Sequence, residues 1–132
     1  ARVIPNLTKE FHVISDRGVA SICFGVSSPV EFKPLMGIQE QAFLGAEVPF
    51  IWPDAILIYD VPANVARQRL LSQGKELDAF EKDAEFQMQV RDNYLAFAKQ
   101  YPNCHVIDGS GQPEEVFAKT KEVLVPILGL PT

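Results

Sequence analysis

Three short apolar runs, each ending in an aspartate, constrain the fold of this chain more than any other feature. They cover Phe11–Asp16, Ala55–Asp60 and Cys104–Asp108 and are rich in Val and Ile. Nearly continuous apolar runs of this length are typical of strands buried on both faces, as in parallel sheets. Ligands of such sheets bind beyond the carboxyl ends of the strands. The three terminal aspartates are therefore predicted to lie at the edge of the sheet where a ligand binds.

Helical patterns separate and follow these runs, which predicts an α/β layered fold with a mainly parallel sheet. Gly74 and Pro102 are predicted to stop two of the helices, and a stripe of apolar residues on the longest helix is predicted to be core. The sequence predicts helices over 62–73 and 82–101 and from Pro113 onward, a weaker helix over 36–47, and a loop over 25–35; the stripe consists of Phe86, Val90, Tyr94, Phe97 and Tyr101.

Charge and cysteine content indicate which partners are unfavourable and in which compartment the protein resides. The chain has 132 residues, enough for one domain, and its net charge of -5 argues against a broad footprint for nucleic acid or an anionic membrane. No run approaches the ~20 apolar residues that a membrane span needs. Cys23 and Cys104 are interpreted as core residues in a reducing compartment, because they are far apart and lie in apolar surroundings.

The dipeptide Asp16-Arg17 is the first candidate for chemistry. An arginine just past the carboxyl end of a strand can bind a phosphate through paired N–H groups, and an adjacent aspartate can orient a metal-bound water or a second arginine. In the alternative interpretation, Asp16 caps a helix that starts near Val19 and Arg17 is merely solvated. For the dipeptide alone this alternative is favoured. Asp60 and Asp108 are interpreted as acceptors of backbone N–H groups at strand ends.

A resemblance to a known family favours the phosphate-binding interpretation of Asp16-Arg17 instead. The segment VISDRGVAS, residues 13–21, resembles the Asp-Arg motif of thymidylate kinases, and the chain from Trp52 onward resembles the second half of that family. The order and spacing of the matching pieces carry the resemblance. They are Pro53-Asp54, Asp60-Val61-Pro62, Arg69, Gly74 with a charged segment, Phe86, Arg91, Tyr94 and Val106-Ile107-Asp108.

The resemblance implies a three-layer P-loop NTPase fold of the nucleoside monophosphate kinase type, in one domain over residues 1–132. Its members transfer the terminal phosphate of ATP to thymidine monophosphate (dTMP) with Mg²⁺, giving dTDP and ADP. It also implies a lid at about residues 74–82, a homodimer and a cytoplasmic location. Neither nucleic acid nor a membrane is expected as a partner, given the negative net charge and the lack of a long apolar run.

On the acceptor side, the resemblance gives roles to four residues. Arg17 would be catalytic and would contact the phosphates of the bound nucleotides. Asp16 would be catalytic and would organise Mg²⁺ and the acceptor phosphate. Ser21 would lie on the wall of the monophosphate site, and Phe80 would pack near the deoxyribose from the lid.

On the donor side, three residues would bind ATP. Arg69 would lie on the helix that leads to the lid. Gly109 and Ser110 would lie in the loop against adenine. The segment Gly74–Asp78 would supply the hinge and the polar residues that a closing lid needs.

The sequence also departs from the family pattern. It contains no G-x-x-x-x-G-K-[ST] phosphate loop, and the family's first strand, phosphate-loop helix and second strand would lie upstream. Without that first strand the sheet lacks its centre and has unpaired edges. We therefore expect these residues to fold poorly alone and to be a fragment, an incompletely represented chain, or a piece that another chain completes.

Substitutions within the motifs motivate two further hypotheses. Gly18, Ile22, Gly25 and Ala79 stand where the family usually has aromatic, polar or basic residues. The first alternative is a catalytically silent relative that acts as a binding or assembly module. The second is a related deoxynucleoside or nucleotide kinase with another acceptor.

Overall fold

In the residues that the structure describes, the fold combines a parallel pair of strands with four α-helices. The computed structural model describes residues 11–47, 49–74 and 77–131, with only the backbone given for 77–82. The elements are, in chain order, a 3₁₀ helix (Val19–Phe24), a 3₁₀ turn (Pro29–Glu31), α1 (Phe32–Gly45), β1 (Ile56–Asp60), α2 (Ala63–Ser72), α3 (Leu77–Gln100), β2 (Cys104–Asp108) and α4 (Pro113–Leu128).

The two strands confirm the predicted parallel pairing. β1 and β2 run in register from Ile56 opposite Cys104 to Asp60 opposite Asp108. The backbone N–H of Gly109 extends the ladder by donating to the carbonyl oxygen of Asp60 over 2.8 Å. The two carboxyl ends therefore meet at one edge of the sheet, as the sequence predicts. Each strand, however, has a single buried residue, Ile58 or Ile107, so the prediction of burial on both faces is wrong.

The predicted strand over Phe11–Asp16 is wrong. This segment has no regular structure, and Phe11 and Ile14 are 61% and 89% exposed. A strand requires hydrogen bonds to the backbone of a neighbour. In the part of the chain that the structure describes, β1 and β2 are hydrogen-bonded only to each other, and this segment joins neither of them. An apolar run alone does not show whether such a neighbour is available.

The helices agree with the sequence except at the starts of α1 and α3. α2 and α4 begin close to the predicted positions, and Gln112 and Glu115 form a capping box at the start of α4. The predicted loop over 25–35 is wrong in its second half, because a 3₁₀ turn and α1 begin within it. Pro34 lies in the first turn of α1, where its missing N–H has no intrahelical partner to lose. α3 begins at Leu77, five residues earlier than predicted.

The core lies where aromatic residues of α3 meet α1 and the segment before β1. Phe97 has no exposed surface, and its ring lies 5.6 Å from that of Phe32 and 4.5 Å from that of Tyr101. Trp52 stacks on Phe97 and donates from Nε1 to the carbonyl oxygen of Pro102 over 3.0 Å. The predicted stripe of α3 is thus core, except that Phe86 is 49% exposed. The periodicity of apolar residues identifies the apolar face of a helix. It does not show how much of that face is covered by neighbouring elements.

Candidate functional site

The Asp16-Arg17 dipeptide lies on an exposed segment just before the 3₁₀ helix. Arg17 has a φ of 65°, in the left-handed region of backbone conformation that residues other than glycine rarely adopt. The Ser15 hydroxyl donates to the carbonyl oxygen of Arg17 over 2.7 Å. The N-cap of the 3₁₀ helix is Gly18, with no side-chain cap bond, so the alternative interpretation of Asp16 as a helix cap is wrong.

Ser21 follows one turn later on the same 3₁₀ helix and is half-buried. Its backbone N–H donates to the carbonyl oxygen of Gly18 over 2.9 Å. The structure therefore places three of the four predicted acceptor-side residues on one short segment. The side chain of Phe80 lies outside the described residues.

Two amide side chains of α3 hold the end of the 3₁₀ helix and the residues that follow it, and we call them the amide clasp. Asn93, which is 2% exposed, donates from Nδ2 to the carbonyl oxygens of Cys23 and Val26 over 3.2 and 3.1 Å. Gln89, one turn earlier, donates to the carbonyl oxygen of Ser27. Sequence reasoning missed both residues. Their only signal is two amides four positions apart on a helix with an apolar stripe.

We expect Asn93→Leu to lower the free energy of unfolding by about 1–3 kcal/mol, because two carbonyl oxygens lose their donor. Urea titration of the complete polypeptide measures this value. Asn64→Leu is the matched control, because Asn64 is an exposed asparagine of α2. Equal stabilities for the two variants would show that the clasp contributes nothing.

Asp60, at the end of β1, forms a bidentate ion pair with Arg91 of α3. Nε and Nη2 of Arg91 donate to the two carboxylate oxygens over 2.6 and 3.0 Å. These hydrogen bonds hold the pKa of Asp60 below its usual value. The prediction that the Asp60 side chain accepts a backbone N–H is therefore wrong. Arg91 and Tyr94 are three positions apart on α3, so they are neighbours on its surface.

Asp108, at the end of β2, accepts from the loop that follows it, as predicted. Its Oδ1 accepts the backbone N–H of Ser110 over 2.9 Å and also the Ser110 hydroxyl, while Lys119 Nζ lies 3.5 Å from Oδ2. These bonds, with that of the Ser110 hydroxyl foremost, lower the pKa of Asp108 to about 2. The carboxylate thus organises the start of the loop.

The lowered pKa of Asp108 predicts a dependence of stability on pH. Because the pKa is about 2 in the folded chain and near 3.8 when unperturbed, Asp108 stabilises the fold above pH 4. This contribution is lost as the pH falls from about 4 to 2. We expect Asp108→Asn to unfold with a weaker pH dependence over that window in urea titrations. An unchanged dependence would contradict the assignment, and Asp54→Asn, at an exposed aspartate, is the control.

Arg69 of α2 brings the three predicted donor-side residues together. Its Nη2 donates to the carbonyl oxygens of Gly109 and Gly111 over 2.7 and 3.1 Å. A Cβ at Gly109 would lie 3.0 Å from Cγ2 of Val61, so glycine lets the loop approach β1 closely. An open groove of about 850 Å³ runs beside this loop and α4. Its lining includes Tyr59, Val61, Val65, Arg69, Ser110 and Phe117.

The structure therefore forms two groups of predicted site residues, and α3 contacts both the acceptor-side part of the chain and the end of β1. The acceptor-side segment reaches α3 through the amide clasp and through Phe24, whose ring meets that of Tyr94 edge to face. The end of β1 reaches it through Arg91. No three His, Cys, Asp or Glu side chains cluster into a metal site among the described side chains of residues 11–47, 49–74 and 83–131. In the same ranges, no helix is both long and apolar enough to cross a membrane.

Comparison with known proteins identifies the family. The sequence model of the thymidylate kinase family matches residues 1–120. The chain is 30% identical over 123 residues to the thymidylate kinase of Thermosipho africanus, covering 91% of this chain and 58% of the relative. It is 30% identical over 131 residues to that of Carboxydothermus hydrogenoformans, covering 97% and 61%.

A higher identity is found over a shorter region. The chain is 42% identical over 84 residues to the thymidylate kinase of Cereibacter sphaeroides, covering 59% of this chain and 39% of the relative. The chain thus spans at most 61% of the length of these three curated relatives. Since the family match extends over residues 1–120, the chain belongs to the thymidylate kinase family, which implies the P-loop NTPase fold.

Proposed function

We propose that this chain forms part of a nucleoside monophosphate kinase that transfers the terminal phosphoryl group of ATP to dTMP, giving dTDP and ADP. The observation that carries the proposal is the exposed guanidinium of Arg17, set in a left-handed backbone within the Asp-Arg motif that resembles the family's. Strained backbone of this kind clusters at functional sites. Membership of the thymidylate kinase family supports the choice of acceptor.

The chemistry of phosphoryl transfer suits these residues. The reaction depends mainly on positioning and on neutralising the charge of the phosphates. Arg17 would bind phosphate oxygens through its planar fork of N–H groups. Asp16 fits a Mg²⁺ site, because its carboxylate is exposed and Mg²⁺ usually takes one or two carboxylates together with water and substrate phosphates. Bound Mg²⁺ would neutralise phosphate charge, and Ser21 would line the monophosphate site.

On the donor side, Arg69 would act by holding the loop that contains Gly109 and Ser110 against the purine of ATP. The two hydrogen bonds from Arg69 to the loop carbonyls support this role. The groove beside the loop offers apolar walls from Tyr59, Val61 and Phe117 for a planar base.

We expect Arg69→Lys to raise the KM for ATP about tenfold and to leave the KM for dTMP nearly unchanged. A lysine ammonium keeps the charge but lacks the guanidinium's fixed set of donors, so the loop loses one of its two bonds. Steady-state kinetics with each substrate varied in turn measure both constants. Equal effects on the two constants would contradict a role confined to the donor side.

The proposal includes the finer architecture that the resemblance implies. It comprises a single three-layer domain over 1–132, a lid over about 74–82 that carries Phe80, and first strands of the fold supplied from outside these residues. In the described structure β1 is paired with β2 on one side, which is compatible with a further strand on the other. A homodimer and a cytoplasmic location complete the proposal and rest on the resemblance alone.

The direct test is an assay of the complete polypeptide with ATP, Mg²⁺ and each deoxynucleoside monophosphate in turn. We expect ADP and dTDP to form in equal amounts, with dTMP preferred. Transfer to a different acceptor would instead favour a related kinase. Nucleotide binding without any turnover would refute the proposed activity and favour a silent binding module.

A further inference from the structure

We propose that Phe24 is a positioning residue, whose ring holds the guanidinium of Arg17 in the orientation that receives the phosphate of the nucleoside monophosphate. The inference rests on the proposed function and adds to it a residue outside the Asp-Arg motif. The observation behind it is a contact: Cζ of Arg17 lies 5.2 Å from the centroid of the Phe24 ring. This distance is within the range of about 6 Å at which an aromatic face attracts a cation.

The Phe24 ring also has a second contact, with a tyrosine of α3. The ring of Tyr94 meets it edge to face, with centroids 5.6 Å apart and an interplanar angle of 82°. The residue before Phe24, Cys23, has its carbonyl oxygen bound by the buried Asn93. Phe24 is therefore anchored to α3 through both its side chain and the adjacent backbone, although it is 41% exposed. A ring fixed in this way can orient a neighbouring side chain.

The backbone of Arg17 is strained at the residue whose side chain contacts the Phe24 ring. Its φ of 65° is unfavourable for a residue with a Cβ, and the Ser15 hydroxyl supports that conformation by binding the Arg17 carbonyl oxygen. Because an arginine side chain has many rotamers, fixing it before the ligand arrives lowers the entropy cost of binding.

The contact also leaves the binding groups of Arg17 available. An aromatic ring attracts the cation without supplying an oxygen acceptor, so the N–H fork can still bind a phosphate. An ion pair with a carboxylate would orient the same side chain but would occupy that fork. Ring contact is thus well suited to an arginine that must be ordered and yet free to bind an anion.

The test compares binding of dTMP and of thymidine, which lacks the phosphate, to the complete polypeptide by isothermal titration calorimetry. We expect Phe24→Leu to weaken dTMP binding about two- to fivefold, the range for an exposed cation–ring contact, and to leave thymidine binding unchanged. Phe24→Tyr, which keeps the ring, should bind dTMP like the parent. Phe43→Leu is the matched control, because Phe43 is 40% exposed and contacts Phe50 instead.

Two further measurements separate positioning from loss of structure. In the ligand-free protein, the NMR shift of the Arg17 side-chain Nε–H should change in Phe24→Leu and not in Phe43→Leu, because a ring current acts only nearby. In a double-mutant cycle, Phe24→Leu should have no further effect on dTMP binding once Arg17 is replaced by Met.

The outcomes distinguish this role from the proposed function. If the parent binds no dTMP, the proposed function fails and the role of Phe24 fails with it. If the parent binds dTMP and Phe24→Leu binds it equally well, only the positioning role is refuted. If Phe24→Leu weakens thymidine and dTMP to the same extent, Phe24 contacts the nucleoside directly, which also overturns the role proposed here.

Discussion

Replacing Arg17 by methionine should lower kcat/KM for phosphoryl transfer to dTMP by roughly 100- to 1000-fold, as expected when a preorganised group at a developing charge is removed. Methionine keeps much of the apolar stem and removes the cation together with its N–H fork. The loss should appear mainly in kcat if Arg17 binds the transition state more tightly than the substrates. Initial rates of ADP and dTDP formation by the complete polypeptide measure it.

Two comparisons define this prediction. Arg17→Lys should recover only part of the lost rate, because the ammonium retains the charge but not the bidentate geometry. Lys33→Met, which removes a cation from the exposed surface of α1, should leave the rate unchanged. A rate for Arg17→Met within threefold of the parent would show that this residue takes no part in the transfer.

Replacing Phe97 by alanine should lower the free energy of unfolding by about 3–5 kcal/mol, the range for buried phenylalanines. Phe97 has no exposed surface and contacts Phe32, Trp52 and Tyr101 through its ring. The substitution removes the residue on which these three side chains converge and leaves a cavity between α3 and α1. Urea titration followed by far-UV circular dichroism gives the value.

Phe86→Ala provides the control for that substitution. Phe86 is on the same helix and undergoes the same chemical change, but it is 49% exposed. We therefore expect a loss of less than about 1 kcal/mol. If the two variants were equally destabilised, effects on the denatured state would account for the result, and the described core around Phe97 would not.

The sequence predicts best those elements that are defined by their own residues. β1 and β2 are short apolar runs with clear ends, and the pairing of Asp60 with Asp108 follows from parallel strands that end together. Phe11–Asp16 has the same kind of pattern but is not a strand, because a strand also needs a neighbour that the pattern does not specify. Local composition thus predicts which segments can form a strand, whereas the presence of a neighbouring strand determines whether they do.

The same distinction applies to the candidate site. Asp16, Arg17 and the loop at Gly109 are recognisable because short motifs contain them. Asn93 is not, since its hydrogen-bond partner Cys23 lies seventy positions away and no local rule connects them. Arg91 matched the family pattern, yet only the structure shows that it pairs with Asp60. Long-range polar contacts of this kind depend on how the helices pack.

The attachments of α3 have a mechanical consequence for the proposed enzyme. This helix has 24 residues, which corresponds to a rod about 36 Å long. Its first turn lies within the proposed lid, while Arg91 and Asn93, farther along, bind β1 and the end of the 3₁₀ helix that follows Arg17. If the lid closes by tilting α3, the same movement shifts the contacts of α3 with β1 and with the end of the 3₁₀ helix. Enclosing the nucleotides and aligning the arginine with them would then be a single motion.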